Sequence, residues 1–251
     1  MKIIHVKLAR SIWLFDIMDL NPKGRDLLGD LVTWIKDAYN FAVAPDPDNP
    51  VPNTAPVVTP VPQTAPPQAP GGLLFQKGSF RVREEIYVAI SALTVYNDGI
   101  VVDTTSSTDD ADQFADDLLK SAASEFGLSY DAETVRRRLY LSELIVRSDL
   151  MLASLNPSLA AFTERLPNRL PEGSRQRFEV ASIGFWSEPN DAGLHRVIRI
   201  ERQLGKPFSE HRFYSEAPLQ TRVHFEVLED LERSVLGSSD QAEQANPAAL
   251  S

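Results

Sequence analysis

A proline-rich stretch most constrains how this chain can fold. Ten of the 18 prolines lie between Pro45 and Pro70, and Gly71-Gly72 follows them. Proline cannot donate a backbone hydrogen bond and restricts the residue before it, so this stretch cannot form a helix or an inner strand. It also lacks the large apolar side chains whose burial would offset the entropy of ordering. We therefore predict a disordered linker or insertion over residues 45–72, which serves either as a spacer or as a polyproline ligand.

Regular apolar patterns flank this linker on both sides. Residues 1–44 predict a strand followed by a helix, and residues 73–128 predict strands joined by a hairpin, with a helix after them. Residues 129–237 predict a second α+β half, and the small polar residues at 238–251 predict a flexible tail. The chain is therefore expected to contain two α+β halves, the first of them interrupted by the linker.

Helix and turn signals recur in the two halves. Asn21-Pro22 and Asn156-Pro157 each predict a helix start, with Asn as the cap and Pro in the first turn. Asn97-Asp98-Gly99 predicts a tight hairpin of the primed type, and residues 190–193 predict a similar turn. Gly127 and Gly237 are each predicted to end a helix.

The fold class follows from this order of elements. We predict an α+β fold with a mainly antiparallel sheet and helices packed on one face. Each half has the predicted order strand, helix, strand, turn, strand, helix. One hypothesis is an internal duplication of a βαββα unit; the other is coincidence, because Asn-Pro caps and Asn-Gly turns are common signals.

Composition and charge restrict the classes of protein to which the chain can belong. Its 25 basic and 35 acidic side chains give a formal charge of −10, which disfavours binding to nucleic acid or anionic lipid. No apolar run is long enough to span a membrane, and charged residues interrupt the N-terminus where a signal peptide would be apolar. We therefore expect a cytoplasmic protein. The chain has no cysteine, which excludes disulfides and thiolate chemistry.

The sequence lacks the familiar motifs of cofactor sites and catalytic sites. It contains no G-x-G-x-x-G, no Walker A motif, no G-x-S-x-G and no H-E-x-x-H. We therefore expect no cofactor, and a non-enzymatic protein is the favoured prediction.

Two acidic segments keep an enzymatic alternative open. Asp98, Asp103 and Asp109 lie near a predicted strand end and helix start, where carboxylates could hold a divalent metal. Glu210 and His211 lie in a predicted loop before the last helix, with Glu216 and His224 as further candidate ligands. The simpler interpretation is that Asp109 caps a helix and that the acids following it, at 112, 116 and 117, form its solvated face.

Other residues are candidates for protein contact. Trp34 lies off the apolar stripe of its helix, so we predict that it is partly exposed and anchors an interface. Arg196, Arg199 and Arg202 lie on one strand, and arginine is favoured in forked ion pairs at interfaces. Phe185 and Trp186 are predicted to lie in the core.

The sequence thus predicts a protein-binding module, such as an assembly factor, an inhibitor or a scaffold. A protein partner is expected, together with homo-oligomer formation by extension of the sheet edges. The alternative is a metal-dependent hydrolase or phosphoryl-transfer enzyme that uses one of the acidic segments.

Overall fold

The computed structural model describes residues 1–46, 48, 71–131, 133–171, 176–188 and 196–244. Most of the predicted linker, the turn predicted at 190–193, and residues 245–251 lie outside the described residues.

An eight-stranded antiparallel sheet and five α-helices make up the described fold, which confirms the predicted α+β class. The strand order is β2-β3-β4-β1-β5-β8-β7-β6. The strands are β1 (Lys2–Leu14), β2 (Leu73–Arg83), β3 (Ile86–Tyr96), β4 (Gly99–Thr104), β5 (Arg137–Arg147), β6 (Ser182–Trp186), β7 (Val197–Arg202) and β8 (Arg212–Ala217). The helices are α1 (Ile17–Leu20), α2 (Leu28–Ala38), α3 (Thr108–Phe126), α4 (Pro157–Arg165) and α5 (Thr221–Gln244). Among the described helices, none has the length and apolar character that crossing a membrane requires.

The contacts divide the chain into two compact units. One, here called the central unit, comprises Leu8–Leu141. The other, the terminal unit, comprises Met1–Lys7 together with Ser142–Ser251. Apart from the short helix α1, the elements from β1 to α3 and the strands and α-helices from β5 to α5 follow the same order of strand, helix, three strands and helix. The sequence left open whether one long or two short strands precede the hairpin turn of the first half, and it predicted two strands after the first helix of the second half.

The core of the central unit is rich in aromatic side chains. Tyr39, Phe41 and Phe114 are buried, and the Tyr39 ring meets Phe114 edge-on at 4.9 Å between centroids. Helix α3 carries Phe114 on its buried face, and both of its ends are capped. The Ser107 side chain accepts from the backbone N–H of Asp110, and Gly127 ends the helix with φ +61°.

The hairpin between β3 and β4 forms where the sequence predicts it. Tyr96 pairs with Gly99, and the turn consists of Asn97 and Asp98. A primed turn needs a positive φ at one or both of its two central residues, but neither Asn97 nor Asp98 has one. The positive φ, +154°, belongs to Gly99, the next residue, so the predicted primed turn type is wrong. A Cβ atom on Gly99 would overlap the carbonyl oxygen of Trp13 on β1, so glycine is required by this close approach.

The core of the terminal unit lies between its strands and α5. Leu144, Phe213 and Ile200 face Leu228 in one buried cluster. The strands pair in regular register, with β5 against β8, β8 against β7 and β7 against β6.

Three local predictions are wrong. No helix starts at Asn21-Pro22, because the Asn21 side chain instead closes a loop by bonding the backbone N–H and C=O of Arg25. The last helix does not end at Gly237, because α5 continues to Gln244. Most of the segment predicted as a loop at 210–216 belongs to strand β8, which begins at Arg212 after the 3-10 turn Phe208–Glu210.

Candidate functional site

The acidic candidates of the central unit are not brought together. Both carboxylate oxygens of Asp103 accept from the guanidinium of Arg10, at 2.7 and 2.8 Å. Asp98 lies in the β3–β4 turn and Asp109 in the exposed first turn of α3. Within the described part of the chain, no three acidic or histidine side chains are grouped to hold a metal. Asp103 therefore completes a bidentate ion pair, and the metal role of these residues stays a prediction.

Three further aspartates of α3, at 112, 116 and 117, accept hydrogen bonds from other parts of the chain, although Asp117 is exposed as the prediction of a solvated face requires. Tyr39 donates its hydroxyl proton to Asp117 at 2.7 Å, and Tyr130 donates to Asp116 at 3.0 Å. Burial, assisted by the neighbouring carboxylate, raises the pKa of Tyr130 to about 12 and raises the pKa of Tyr39 further. These phenols stay protonated at neutral pH and hold α3 in place.

Asp112 joins α3 to strands β1 and β5. It accepts from the Trp13 indole N–H at 2.8 Å, from the Tyr140 hydroxyl at 2.9 Å and from the Ser11 hydroxyl. The Arg138 guanidinium lies 3.9 Å from the centre of the Trp13 ring. Because each oxygen of Asp112 already accepts from a side chain, the arrangement is suited to holding the helix against the sheet.

A cleft of roughly 300 Å³ opens beside the β3–β4 turn. Its lining includes Phe15, Asp16, Asp98 and Arg136. The guanidinium of Arg136 already bonds Asp19 at 2.7 Å. The cleft is thus lined by the carboxylates of Asp16 and Asp98 and by an arginine that already has an ion-pair partner. This lining does not indicate a particular class of ligand.

Glu210 and His211 do not form a site with Glu216 and His224. Glu210 pairs with Arg212 at 2.9 Å, whereas Glu216 pairs with Arg199 at 3.1 Å. Nδ1 of His211 lies 3.6 Å from the Asp149 carboxylate, which is too far for a hydrogen bond. The four predicted ligands therefore have different neighbours, and their metal role stays a prediction.

His224 lies instead in a buried serine pair. Its Nδ1 is 2.7 Å from the Ser142 hydroxyl oxygen, and its Nε2 is 2.9 Å from that of Ser215. Ser215 donates its proton to the Arg199 carbonyl at 2.7 Å, so it must accept from Nε2–H. Ser142 then donates to Nδ1, which fixes the neutral Nε2–H tautomer.

The Ser142–His224 distance resembles that of a catalytic serine–histidine pair, but the surroundings of this pair indicate a structural role. All three side chains are fully buried, so no substrate can reach the serine oxygens. Burial lowers the pKa of His224 to about 4, which keeps the ring neutral. The sequence could not reveal this group because Ser142 lies 82 residues before His224 along the chain.

Two of the three predicted interface arginines, Arg199 and Arg202, have ion-pair partners within the chain. Arg199 pairs with Glu216, which also accepts from the Tyr214 hydroxyl at 3.0 Å. The Arg202 side chain is only 10% exposed and pairs with Glu179. Arg196 is exposed beside β7. The interface role of these arginines stays a prediction.

Trp34 packs within the central unit. Its indole is half-buried and meets Tyr39 and Phe126 edge-on, with ring centroids 6.0 and 5.7 Å apart. Its proposed role as an interface anchor stays a prediction.

Apolar side chains are exposed on two elements of the terminal unit. On strand β6, Phe185 is 50% exposed and Trp186 is 67% exposed, so their predicted place in the core is wrong. On helix α4, Leu159 is 43% exposed and Phe162 is 52% exposed. These two elements form the candidate interaction surfaces.

Comparison with known proteins assigns the chain to no group. No family model, no curated protein and no solved structure matches it.

Proposed function

We propose that this chain is a non-enzymatic protein-binding module that contacts its partner through helix α4. The observation that carries the proposal is the exposed apolar stripe of Leu159 and Phe162, which Leu155 precedes at 43% exposure. Leu159 and Phe162 follow the spacing i, i+3, which places them on one side of α4, and Leu155 lies just before this helix at the end of the 3-10 turn Leu152–Leu155. An amphipathic helix that binds in an apolar groove presents side chains at this spacing.

The contrast with α2 supports this role for α4. Both helices follow the first strand of their half. Helix α2 packs its apolar stripe inward, so Val32 and Ile35 are buried in the central unit. None of the described side chains of α4 is buried. Covering the exposed parts of its Leu and Phe side chains would contribute roughly 1 kcal/mol each.

Charge beside the stripe indicates the chemistry of the partner. Arg165 and Arg169 are both exposed. Over residues 157–171 these two arginines stand against one acid, Glu164, so this segment is locally positive although the whole chain carries −10. The partner that fits is a protein whose apolar groove is bordered by carboxylates.

Variants of the stripe test the proposal. We expect the tagged wild-type protein to co-purify from its native host with one protein at near-equal stoichiometry, measured by mass spectrometry at moderate salt. The double variant Leu159→Ser, Phe162→Ser should lose this protein, because it removes the apolar contact area. Its melting temperature should stay within a few degrees of wild type, because both side chains are largely exposed.

Tyr87→Ser is the matched control, because Tyr87 is 65% exposed on β3 of the central unit. It should retain the partner. The affinity of the identified partner should then be measured by calorimetric titration for wild type and for the double variant Arg165→Glu, Arg169→Glu. We expect the double variant to bind the partner at least tenfold more weakly. Retention of the partner by the Leu159 and Phe162 double variant would refute the role of α4.

A further inference from the structure

We infer that two copies of this chain associate by antiparallel pairing of their β6 strands, with Gly184 on the twofold axis. The inference rests on the proposed function as a protein-binding module, but it uses a different surface and names its occupant, a second copy.

The two ends of the sheet differ in how they are protected. At the β2 end, Val43 bridges Gln76 through two backbone hydrogen bonds, of 3.2 and 2.8 Å. The Phe41 ring lies so close to Gly78 of β2 that a Cβ atom there would overlap it. This segment, Phe41 to Val43, covers the β2 edge in the way that natural sheets avoid edge pairing.

The β6 end has no such cover among the described residues. The strand order ends at β6, and no described residue forms a strand pair with its outer side. The segment Ser182–Trp186 contains neither a charged residue nor a proline, which are the features that usually block an edge. Ser182 and Gly184 are exposed.

The hydrogen bonds to β7 establish which residues face outward. The Ser187 N–H donates to the Arg196 carbonyl at 2.9 Å, and the Arg202 N–H donates to the Ala181 carbonyl at 2.7 Å. Between these bonds, the β6–β7 register runs without a shift. Because backbone groups alternate in direction along a strand, Ser182 and Gly184 direct their N–H and C=O groups toward the outer edge.

A register centred on Gly184 makes β6 complementary to itself. Gly184 of each copy would donate to and accept from Gly184 of the other, and the pairing would extend to Ser182 opposite residue 186. Ile183 then lies opposite Phe185 of the second copy. Ile183 and Phe185 lie on the same face of β6, the face on which Ile183 packs against the core of the terminal unit. The exposed half of Phe185 would therefore be covered by Ile183 of the second copy.

Glycine at the axis also suits the neighbouring indole. Nε1 of Trp186 lies 3.6 Å from where a Gly184 Cβ would be, so the ring extends over the glycine. Packing of an aromatic ring over an edge glycine compensates for its missing side chain. The pairing of identical strands about a twofold axis gives a closed dimer.

Sedimentation of the purified full chain tests the dimer. We expect a monomer–dimer equilibrium with a dissociation constant on the order of 10–100 µM, because one short strand pair is a small interface. Gly184→Pro should make the protein monomeric over this range, since it removes the outward N–H without removing a bond to β7. Phe185→Lys should do the same, whereas Tyr87→Lys should dimerise like wild type.

An introduced cysteine tests the register. The chain has no native cysteine, so Gly184→Cys can form a disulfide only between copies. Residues opposite each other in such a pair have Cα atoms about 5.5 Å apart, which a disulfide can bridge. Under mild oxidation Gly184→Cys should form covalent dimers at least tenfold faster than Tyr87→Cys.

Different results would overturn this inference and the proposed function. A wild-type protein that is monomeric at 200 µM, or Gly184→Cys dimers no faster than those of Tyr87→Cys, would overturn the β6 pairing alone. If Gly184→Pro loses the co-purifying partner, β6 binds that partner instead of a second copy. If Leu159→Ser, Phe162→Ser retains its partner while Gly184→Pro is monomeric, the α4 proposal fails and the dimer stands.

Discussion

At the scale of single residues, one buried imidazole links folding of the terminal unit to pH. Only the uncharged hydroxyls of Ser142 and Ser215 contact the His224 ring nitrogens. In the unfolded chain, histidine titrates near its ordinary pKa of 6.5, but burial lowers the folded pKa to about 4. The neutral ring therefore favours the folded state fully above pH 6.5, and this contribution is lost as the pH falls toward 4.

We expect the free energy of unfolding to decrease by about 3 kcal/mol between pH 7 and pH 4 through His224 alone. Denaturant melts at half-unit pH intervals would measure it. His224→Gln should be less stable at pH 7 and should show a flatter profile over this range, because glutamine does not titrate. A variant profile as steep as that of wild type would assign the loss to carboxylates elsewhere.

The same scale shows why the roles of several aspartates could not be predicted. Asp112, Asp116 and Asp117 have the local spacing of a wet helix face, and the sequence interpretation followed that spacing. Their hydroxyl and indole donors come from other elements, as when Tyr39 reaches Asp117 from beyond α2. Local periodicity indicates which way a side chain points along its helix but not what stands opposite.

At the scale of elements, strong capping chemistry made some boundaries predictable. Gly127 ends α3 as expected, and Asn156 caps α4 as expected by accepting from the Ser158 N–H at 2.9 Å. The equivalent Asn21 serves a loop instead, because its side chain bonds Arg25 on both backbone groups. The same Asn-Pro dipeptide therefore begins a helix at Asn156 but closes a loop at Asn21, depending on the residues that follow it.

Strand β8 escaped prediction because of its small buried residues. Its inward positions are Phe213, Ser215 and Ala217, all fully buried. Only the first is a large apolar residue, so the alternation typical of a strand is hidden. Phe185 and Trp186 show the opposite error. Their large apolar side chains predict a place in the core, but they lie on the edge strand β6 and are exposed.

The β3–β4 hairpin depends on one glycine. Gly99→Ala should lower the free energy of unfolding by about 2–4 kcal/mol, because its φ of +154° is unsuited to alanine and the new methyl would overlap the Trp13 carbonyl. Chemical denaturation would measure the loss. Asp98→Ala, a change in the same turn away from that carbonyl, should cost less than about 1 kcal/mol; equal losses would place the sensitivity in the turn as a whole.

At the scale of the whole molecule, the antiparallel α+β class was predictable and the strand count was not. Alternating apolar residues indicate that the chain contains antiparallel strands. A strand such as β8, which buries serine and alanine, lacks this alternation and is therefore missed in a count made from the sequence. Apart from α1, the strands and α-helices of the two halves follow one order, which is compatible with an internal duplication. Duplication itself stays a hypothesis.

The net charge makes a further prediction for association. Two copies that each carry −10 repel at long range, while the β6 segment itself is uncharged. Salt screens the repulsion, so raising NaCl from 50 to 300 mM should tighten the β6 dimer severalfold in sedimentation. The α4 complex should weaken over the same range, because its arginines would contact carboxylates. A dimer that weakens with salt would point to ion pairs rather than strand pairing.

The bridge between Val43 and Gln76 bears on how far such an assembly can grow. A sheet with two exposed edges can add copies at both ends without limit, and filaments result. Here the Phe41-to-Val43 segment already occupies one end of every chain. Joining two copies at the other end would leave a doubled sheet whose termini are both occupied, so growth would stop at two. Removal of that segment's backbone bonds would convert a self-limiting pair into a polymerising one.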